Sequence, residues 1–85
     1  MNESIKILIV DDERSARESL QKIINDFFSE FTIIGMAKNV QESLILYNKY
    51  KPQIILLDIE MPIQSGFDLI ETLKDSVCKF IFITA

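Results

Sequence analysis

The residues best able to do chemistry in this chain are three aspartates that follow long apolar runs. Asp11 and Asp12 come directly after the run 5–10, and Asp58 comes after the run 54–57. Carboxylates gathered in one place repel one another, and a hard divalent cation is the simplest group to hold them together. A carboxylate beside such a cation can attack phosphorus, because the metal neutralises phosphoryl oxygens and orients the in-line attack. The three aspartates therefore predict a metal-dependent site for phosphoryl chemistry.

Buried strands must bring these aspartates together. Continuous runs of Ile, Leu and Val are typical of strands covered on both faces of a parallel sheet. The sequence predicts strands at 5–10, 31–36, 54–58 and 80–83, with a helix between each pair, and this order implies right-handed crossovers. In a sheet ordered 2-1-3-4, Asp58 faces Asp11 and Asp12 across a cleft at the carboxyl edge, where ligand sites of such sheets form. Thr84 ends the fourth strand and could donate its hydroxyl to a phosphoryl oxygen.

Start and stop signals place the helices. Asn39 with Glu42 is typical of a helix start, and Lys51-Pro52 ends that second helix. Ser65 with Asp68 predicts the cap of a third helix, after a loop over 59–64 that contains a proline. The side chains expected in the core are Ala16, Leu20, Ile23, Ile24, Phe27 and Phe28 of the first helix, Val40, Leu44 and Tyr47 of the second, Phe67, Ile70 and Leu73 of the third, and the strand residues Phe80 and Phe82.

Composition limits the class of protein. At 85 residues the chain is one domain at most, and an apolar fraction of 48% suits a packed core. A net charge of -4 disfavours nucleic acid and anionic membranes as partners of this segment. No run approaches the ~18 apolar residues of a membrane span, and the first residues do not resemble a signal peptide. One cysteine predicts a reducing, cytoplasmic setting, and the lack of histidine excludes a Ser-His-Asp triad and His-ligated zinc.

Four motifs, in order and at matching spacing, resemble the receiver domain of two-component response regulators. They are Val10-Asp11-Asp12-Glu13, Leu57-Asp58-Ile59-Glu60-Met61-Pro62, Ser65-Gly66-Phe67 and Phe82-Ile83-Thr84-Ala85. The likeness runs over the whole chain. Within the family, the stretch 11–17 is most similar to receivers of LytTR-type (LytR/AlgR-like) transcription regulators.

The resemblance implies a flavodoxin-like, doubly wound α/β fold and a role for each site residue. Asp58 would be the phosphoacceptor, and Asp11, Asp12 and Asp58 would bind Mg²⁺ together with the main-chain carbonyl of Glu60. Thr84 would be the switch hydroxyl that moves to the phosphoryl group. The phosphodonor would be a phosphohistidine on a sensor histidine kinase. Such a domain catalyses its own phosphorylation and hydrolysis but acts as a switch and not as a turnover enzyme.

The end of the chain departs from the family pattern. Receivers continue with a fifth strand, two more helices and a lysine that pairs with the phosphoryl group, whereas nothing follows Ala85. We therefore expect residues 1–85 to be a receiver domain truncated after the fourth strand, without the output domain that would bind DNA. The edge of the fourth strand would be exposed, and exposed apolar edges invite pairing with another chain. The expectation is a homodimer or larger assembly.

Two other functions remain open. A phosphatase of the haloacid-dehalogenase kind also places an apolar strand before Asp-x-Asp, but here Glu60 stands in the second acidic position and the following Thr or Val is missing. The second alternative is an inactive receiver-like fragment that works only through its surface.

Overall fold

A computed structural model of the chain describes residues 4–58, 60–61 and 63–83. Strands and helices alternate along them in the order β1 (Ile5–Val10), α1 (Arg14–Phe27), β2 (Phe31–Ala37), α2 (Val40–Tyr50), β3 (Ile54–Asp58), α3 (Ile63–Thr72) and β4 (Lys79–Ile83). The sheet has the order β2-β1-β3-β4, and all neighbouring strands are parallel. The predicted α/β architecture and strand order are therefore confirmed. None of these three helices has the length and apolar run needed to cross a lipid bilayer.

Helices on both sides of the sheet bury the inner strands. Successive side chains of a strand point to opposite faces, so the apolar run of β1 supplies two cores. Ile7 and Ile9 pack with Ile24 of α1. On the other face, Leu8 and Val10 belong to a larger cluster formed with α2 and α3. Burial on both faces explains why β1 has no polar alternation and why its first acidic residue comes only where the strand ends.

The outer strand β2 contains one extra residue. Ile7 of β1 is level with Ile33, but Leu8 is level with Gly35, so Ile34 forms a bulge between them. Ile34 packs against the cluster on the α2 face. A Cβ atom at Gly35 would lie only 3.0 Å from Cδ1 of Leu46 in α2, so a larger residue there would force the Leu46 side chain to shift.

The second helix begins and ends as predicted. Oδ1 of Asn39 accepts a hydrogen bond from the backbone N–H of Glu42 at 2.8 Å, and Oε1 of Glu42 accepts one from the N–H of Lys38 at 3.1 Å. These bonds satisfy amides that have no partner within the helix. At the other end, Lys51 adopts the left-handed conformation with φ 50°. The following Pro52 prevents the helix from continuing.

The predicted start of α3 was wrong, and its predicted core face was right at Ile70 and Leu73 but wrong at Phe67. The helix begins at Ile63, so Ser65 lies inside it and does not cap it. Proline disfavours the helical conformation chiefly at the residue before it and is accepted in a first turn, so a proline at 62 did not require a loop through Gln64. Phe67 is 65% exposed, whereas Leu69 is fully buried. Residues two apart point to different sides of a helix, so Leu69 and Leu73 define the core face and Phe67 does not.

The prediction that the other phenylalanine pairs are core was also largely wrong. Phe27, Phe28 and Phe82 are exposed, and only Phe80 packs against the buried cluster. On the face of the sheet covered by α1, this helix lies over β1 and β2 and leaves the side of β3 and β4 open, so its phenylalanines are not covered by the sheet. Phe82 is exposed because β4 is the outer strand of the described sheet.

Candidate functional site

The strand register brings the three aspartates to one edge of the sheet. Val10 is level with Leu57 in the parallel pairing of β1 and β3, so the next residues, Asp11 and Asp58, reach the carboxyl edge side by side. Asp12 follows at once. One carboxylate oxygen from each of the three lies within 4.8 Å of the others. The convergence predicted from the sequence is therefore present in the fold.

Burial divides the three carboxylates into two kinds. Asp11 and Asp58 are only 6% and 8% exposed, while Asp12 lies at the surface. The cluster is thus anchored in the sheet on one side and open to water on the other. A cation held there would have both protein and water ligands, which is how Mg²⁺ is usually bound.

The two buried aspartates are oriented by the same local turn. Oδ1 of Asp11 accepts a hydrogen bond from the N–H of Glu13, and Oδ1 of Asp58 accepts one from the N–H of Glu60, both at 2.9 Å. Such turns, in which a carboxylate binds the backbone two residues on, are a common habit of aspartate. One oxygen of each carboxylate is therefore fixed by the fold itself. Sequence reasoning missed this, although an aspartate directly after a strand is the pattern that indicates it.

The main chain of Asp11 is held as well. Its N–H donates to the carbonyl of Ala37 in β2 at 3.0 Å. Its carbonyl accepts a hydrogen bond from Nη1 of Arg17 at 2.8 Å. Arg17 is half-buried in the first turns of α1, and its position there after the aspartate pair is the only signal that could have pointed to it.

The negative charges of the three carboxylates repel one another. Burial is the main cause that raises the pKa of Asp11, and the nearby charges of Asp58 and Asp12 raise that pKa further, while the hydrogen bond from the N–H of Glu13 lowers it in part. A bound divalent cation would reverse this balance, because it favours the ionised carboxylates. Carboxylate oxygens are also the ligands that hard cations prefer, so the donor set fits Mg²⁺.

An apolar pocket borders Asp58 on the α3 side. Its volume is about 80 Å³, and Met61, Phe67, Ile70 and Phe82 contribute to its lining. Asp58 therefore has the carboxylate cluster on one side and an apolar pocket on the other.

The two remaining predicted site residues are Glu60 and Thr84. The side chain of Glu60 is exposed, and its N–H is bound to Asp58, while the proposed ligand is its carbonyl. Thr84 lies outside the described residues.

Comparison with known proteins identifies the family. The sequence profile of the response regulator receiver domain matches residues 7–85. The chain therefore belongs to the receiver domain family of two-component response regulators. A response regulatory protein of Shewanella oneidensis is 44% identical over 82 residues, which cover 95% of this chain and 34% of that protein. The transcriptional regulatory protein HptR of Staphylococcus aureus is 35% identical over 80 residues, covering 94% of this chain and 32% of HptR. The chain thus spans about a third of the length of these relatives.

Solved structures agree in fold. A chain in the crystal structure of the P1 domain of CheA3 in complex with CheY6 from R. sphaeroides superposes with a TM-score of 0.85 at 27% identity, covering 96% of this chain and 64% of that one. The response regulator PhyR from Brucella abortus superposes with a TM-score of 0.79 at 31% identity, covering 96% of this chain and 34% of PhyR. The receiver domain of NarL from Mycobacterium tuberculosis, at 21% identity and a TM-score of 0.83, covers 98% of this chain and 68% of that domain, and it supports the fold alone.

Proposed function

We propose that this chain is a phosphoacceptor in two-component signalling, with Asp58 as the residue that is phosphorylated. The donor is a phosphohistidine on a sensor histidine kinase. The observation that carries the proposal is the convergence of three carboxylates within 4.8 Å at the carboxyl edge of the sheet. Membership of the receiver family supports the proposal. The domain works as a cytoplasmic switch and not as an enzyme that turns over a substrate.

The transfer uses one oxygen of Asp58. Because Oδ1 is held by the N–H of Glu60, the other carboxylate oxygen is the nucleophile. It forms a bond to phosphorus while the phosphorus–nitrogen bond of the donor breaks and the imidazole leaves. The product is an acyl phosphate on Asp58, and its hydrolysis returns the free carboxylate.

The acidic residues around Asp58 supply the metal ligands. Asp11, Asp12 and Asp58 bind Mg²⁺ through their carboxylates, and Glu60 contributes its main-chain carbonyl. When bound, Mg²⁺ neutralises charge on the phosphoryl oxygens. Asp11 and Asp58 are held by backbone hydrogen bonds before any cation arrives, so little reorganisation is needed. The role of Thr84 as the switch hydroxyl stays a prediction.

Mass spectrometry after treatment with acetyl phosphate and Mg²⁺ tests the assignment. We expect the wild-type chain to gain one phosphoryl group and Asp58→Asn to gain none. Asp68→Asn, an exposed aspartate of α3, is the matched control and should be labelled like the wild type. A gain that persists in Asp58→Asn removes Asp58 from its role.

The same assay separates the alternatives. Steady turnover of small phosphate esters would favour a haloacid-dehalogenase type of phosphatase. No response of the protein to beryllofluoride with Mg²⁺ would favour an interaction module that is never phosphorylated. Labelling without turnover supports the receiver.

We further propose that the polypeptide associates with itself through β4. This strand is the outer one of the described sheet on that side, and Ile81 and Phe82, which face opposite sides of it, are 47% and 52% exposed. Unpaired strand edges with apolar flanks are templates for another chain. Through its output domain the whole protein would regulate transcription, as the name of HptR indicates for that relative. DNA would be bound by that domain and not by this acidic segment, and the LytTR type of the output stays a prediction.

A further inference from the structure

The peptide that joins Asp11 to Asp12 links the buried and the exposed carboxylate of the cluster. Asp11 is fixed by burial and by its turn with Glu13. Asp12 lies at the surface and has no such burial. The direction in which Asp12 projects therefore depends on how the plane of this peptide is held.

Three hydrogen bonds hold Asp11 in place. Its N–H binds the carbonyl of Ala37, its Oδ1 binds the N–H of Glu13, and its carbonyl binds Nη1 of Arg17 at 2.8 Å. The partners in the first two are main-chain groups, which almost any residue at those positions could supply. Only the third partner is a side chain, so only this bond depends on a residue type outside the cluster.

We propose that Arg17 is a positioning residue for the metal site, which fixes the peptide between Asp11 and Asp12 so that both carboxylates meet one cation. The inference rests on the proposed function, because it assigns Mg²⁺ to that same cluster. Arg17 suits the task because it is half-buried in α1 and a guanidinium gives strong, directed hydrogen bonds.

Whether Mg²⁺ affinity rises or falls when Arg17 is replaced distinguishes a positioning role from a purely electrostatic one. Within the described residues, the ion pairs under 4.0 Å do not include Arg17, and its hydrogen bond goes to a carbonyl and not to a carboxylate. If the charge of Arg17 dominated, its removal would make the cluster more attractive to Mg²⁺. If positioning dominates, removal weakens Mg²⁺ binding although a positive charge has been lost.

Calorimetric titration of the 85-residue chain with Mg²⁺ makes this comparison. We expect Arg17→Met, which removes the donors and keeps most of the length, to raise the Kd for Mg²⁺ about fivefold to tenfold, as the loss of one charge-assisted hydrogen bond allows. Arg17→Lys keeps a donor and should stay within about twofold of the wild type. Arg14→Met is the control, since Arg14 is exposed on the same helix and pairs only with Glu18 at 3.3 Å among the described residues.

Phosphorylation adds a readout that a purely structural role would not move. With Arg17→Met, the Mg²⁺ concentration for half-maximal labelling by acetyl phosphate should rise by the same factor, while the rate at saturating Mg²⁺ returns to near the wild-type value. A Kd for Arg17→Met that equals or falls below the wild-type value overturns the inference, as does an equal rise with Arg14→Met. If Arg17→Met does not fold, Arg17→Leu, which also lacks a hydrogen-bond donor, replaces it, and a wild-type Kd for Arg17→Leu is the contrary result. If the wild type neither binds Mg²⁺ nor is labelled, the proposed function fails instead.

Discussion

The fold changes the protonation of Asp11. It is buried beside two other carboxylates, and burial raises its pKa above the ordinary value of 3.8. The folded chain therefore keeps this proton at pH values where the unfolded chain has released it. Stability contributed by this group is fully present below pH 3.8 and is lost as the pH rises through the raised pKa.

Asp11→Asn should therefore stabilise the chain near neutral pH. The amide oxygen can still accept the N–H of Glu13, while the buried charge is gone. We expect the Tm at pH 7 to rise by a few degrees, because the variant no longer has to ionise a buried carboxyl group. Thermal unfolding between about pH 3 and pH 7 should also show less loss of stability than in the wild type. Asp75→Asn, at an exposed turn, is the control, and a variant at Asp11 less stable than the wild type at pH 7 would contradict the argument.

Single residues were predictable from the sequence only where a pattern marks them. Asp11, Asp12 and Asp58 stand directly after buried runs, and parallel pairing then brings them together. Arg17 carries no such mark, because a hydrogen bond from a side chain to a carbonyl leaves no periodic signal. Geometry was needed to find it.

At the scale of elements, local capping chemistry was easier to predict than the face of a short helix. The second helix was predicted correctly because its cap uses residues three apart in the sequence. The third was predicted correctly at Ile70 and Leu73 but not at Phe67, because apolar residues at 67, 69, 70 and 73 allow more than one helix face and only packing selects the one that contains Leu69.

The core of α3 can be tested by truncating one side chain at a time. Leu69→Ala removes a fully buried side chain and should lower the free energy of unfolding by about 2–5 kcal/mol. Phe67→Ala, two residues earlier and 65% exposed, should change it by less than about 1 kcal/mol. Urea unfolding measures both. Equal losses would mean that Phe67 is covered in solution.

The cap of α2 offers a second comparison. Asn39→Ala removes the acceptor of the Glu42 N–H and should cost about 1 kcal/mol. Asn48→Ala, at an exposed position within the same helix, should be neutral or slightly stabilising because alanine favours helices. If both variants lose the same stability, the cap contributes nothing.

For the whole molecule, the sheet order was predictable because short buried strands with helical crossovers have few possible arrangements. The sequence did not predict which parts of the two sheet faces are covered, since that depends on which strands each helix overlies. An apolar groove of about 200 Å³ runs beside α1, and its lining includes Ile23, Ile54 and Ile81. The groove reaches β4, so the exposed strand edge and the open face form one surface.

Self-association through this surface should be sensitive to a single charge. Ile81→Lys puts a lysine on β4, a common protection of strand edges, and should shift the chain toward monomer. Ile45→Lys adds the same charge at an exposed position of α2 and should leave the assembly unchanged. Sedimentation velocity over a range of concentrations measures both. A wild type that stays monomeric at high concentration contradicts the proposal.

Because of the bulge in β2, the number of residues in this outer strand does not decide where the acidic edge of the sheet lies. Ile34 is the extra residue of the bulge. With it accommodated there, Val10 is level with Ala37, and the carbonyl of Ala37 accepts a hydrogen bond from the N–H of Asp11. The deletion of Ile34 would bring Gly35 into regular alternation without changing which residue supports Asp11. The same deletion within β1 or β3 would instead shift the aspartate at the carboxyl end of that strand away from its partners in the cluster.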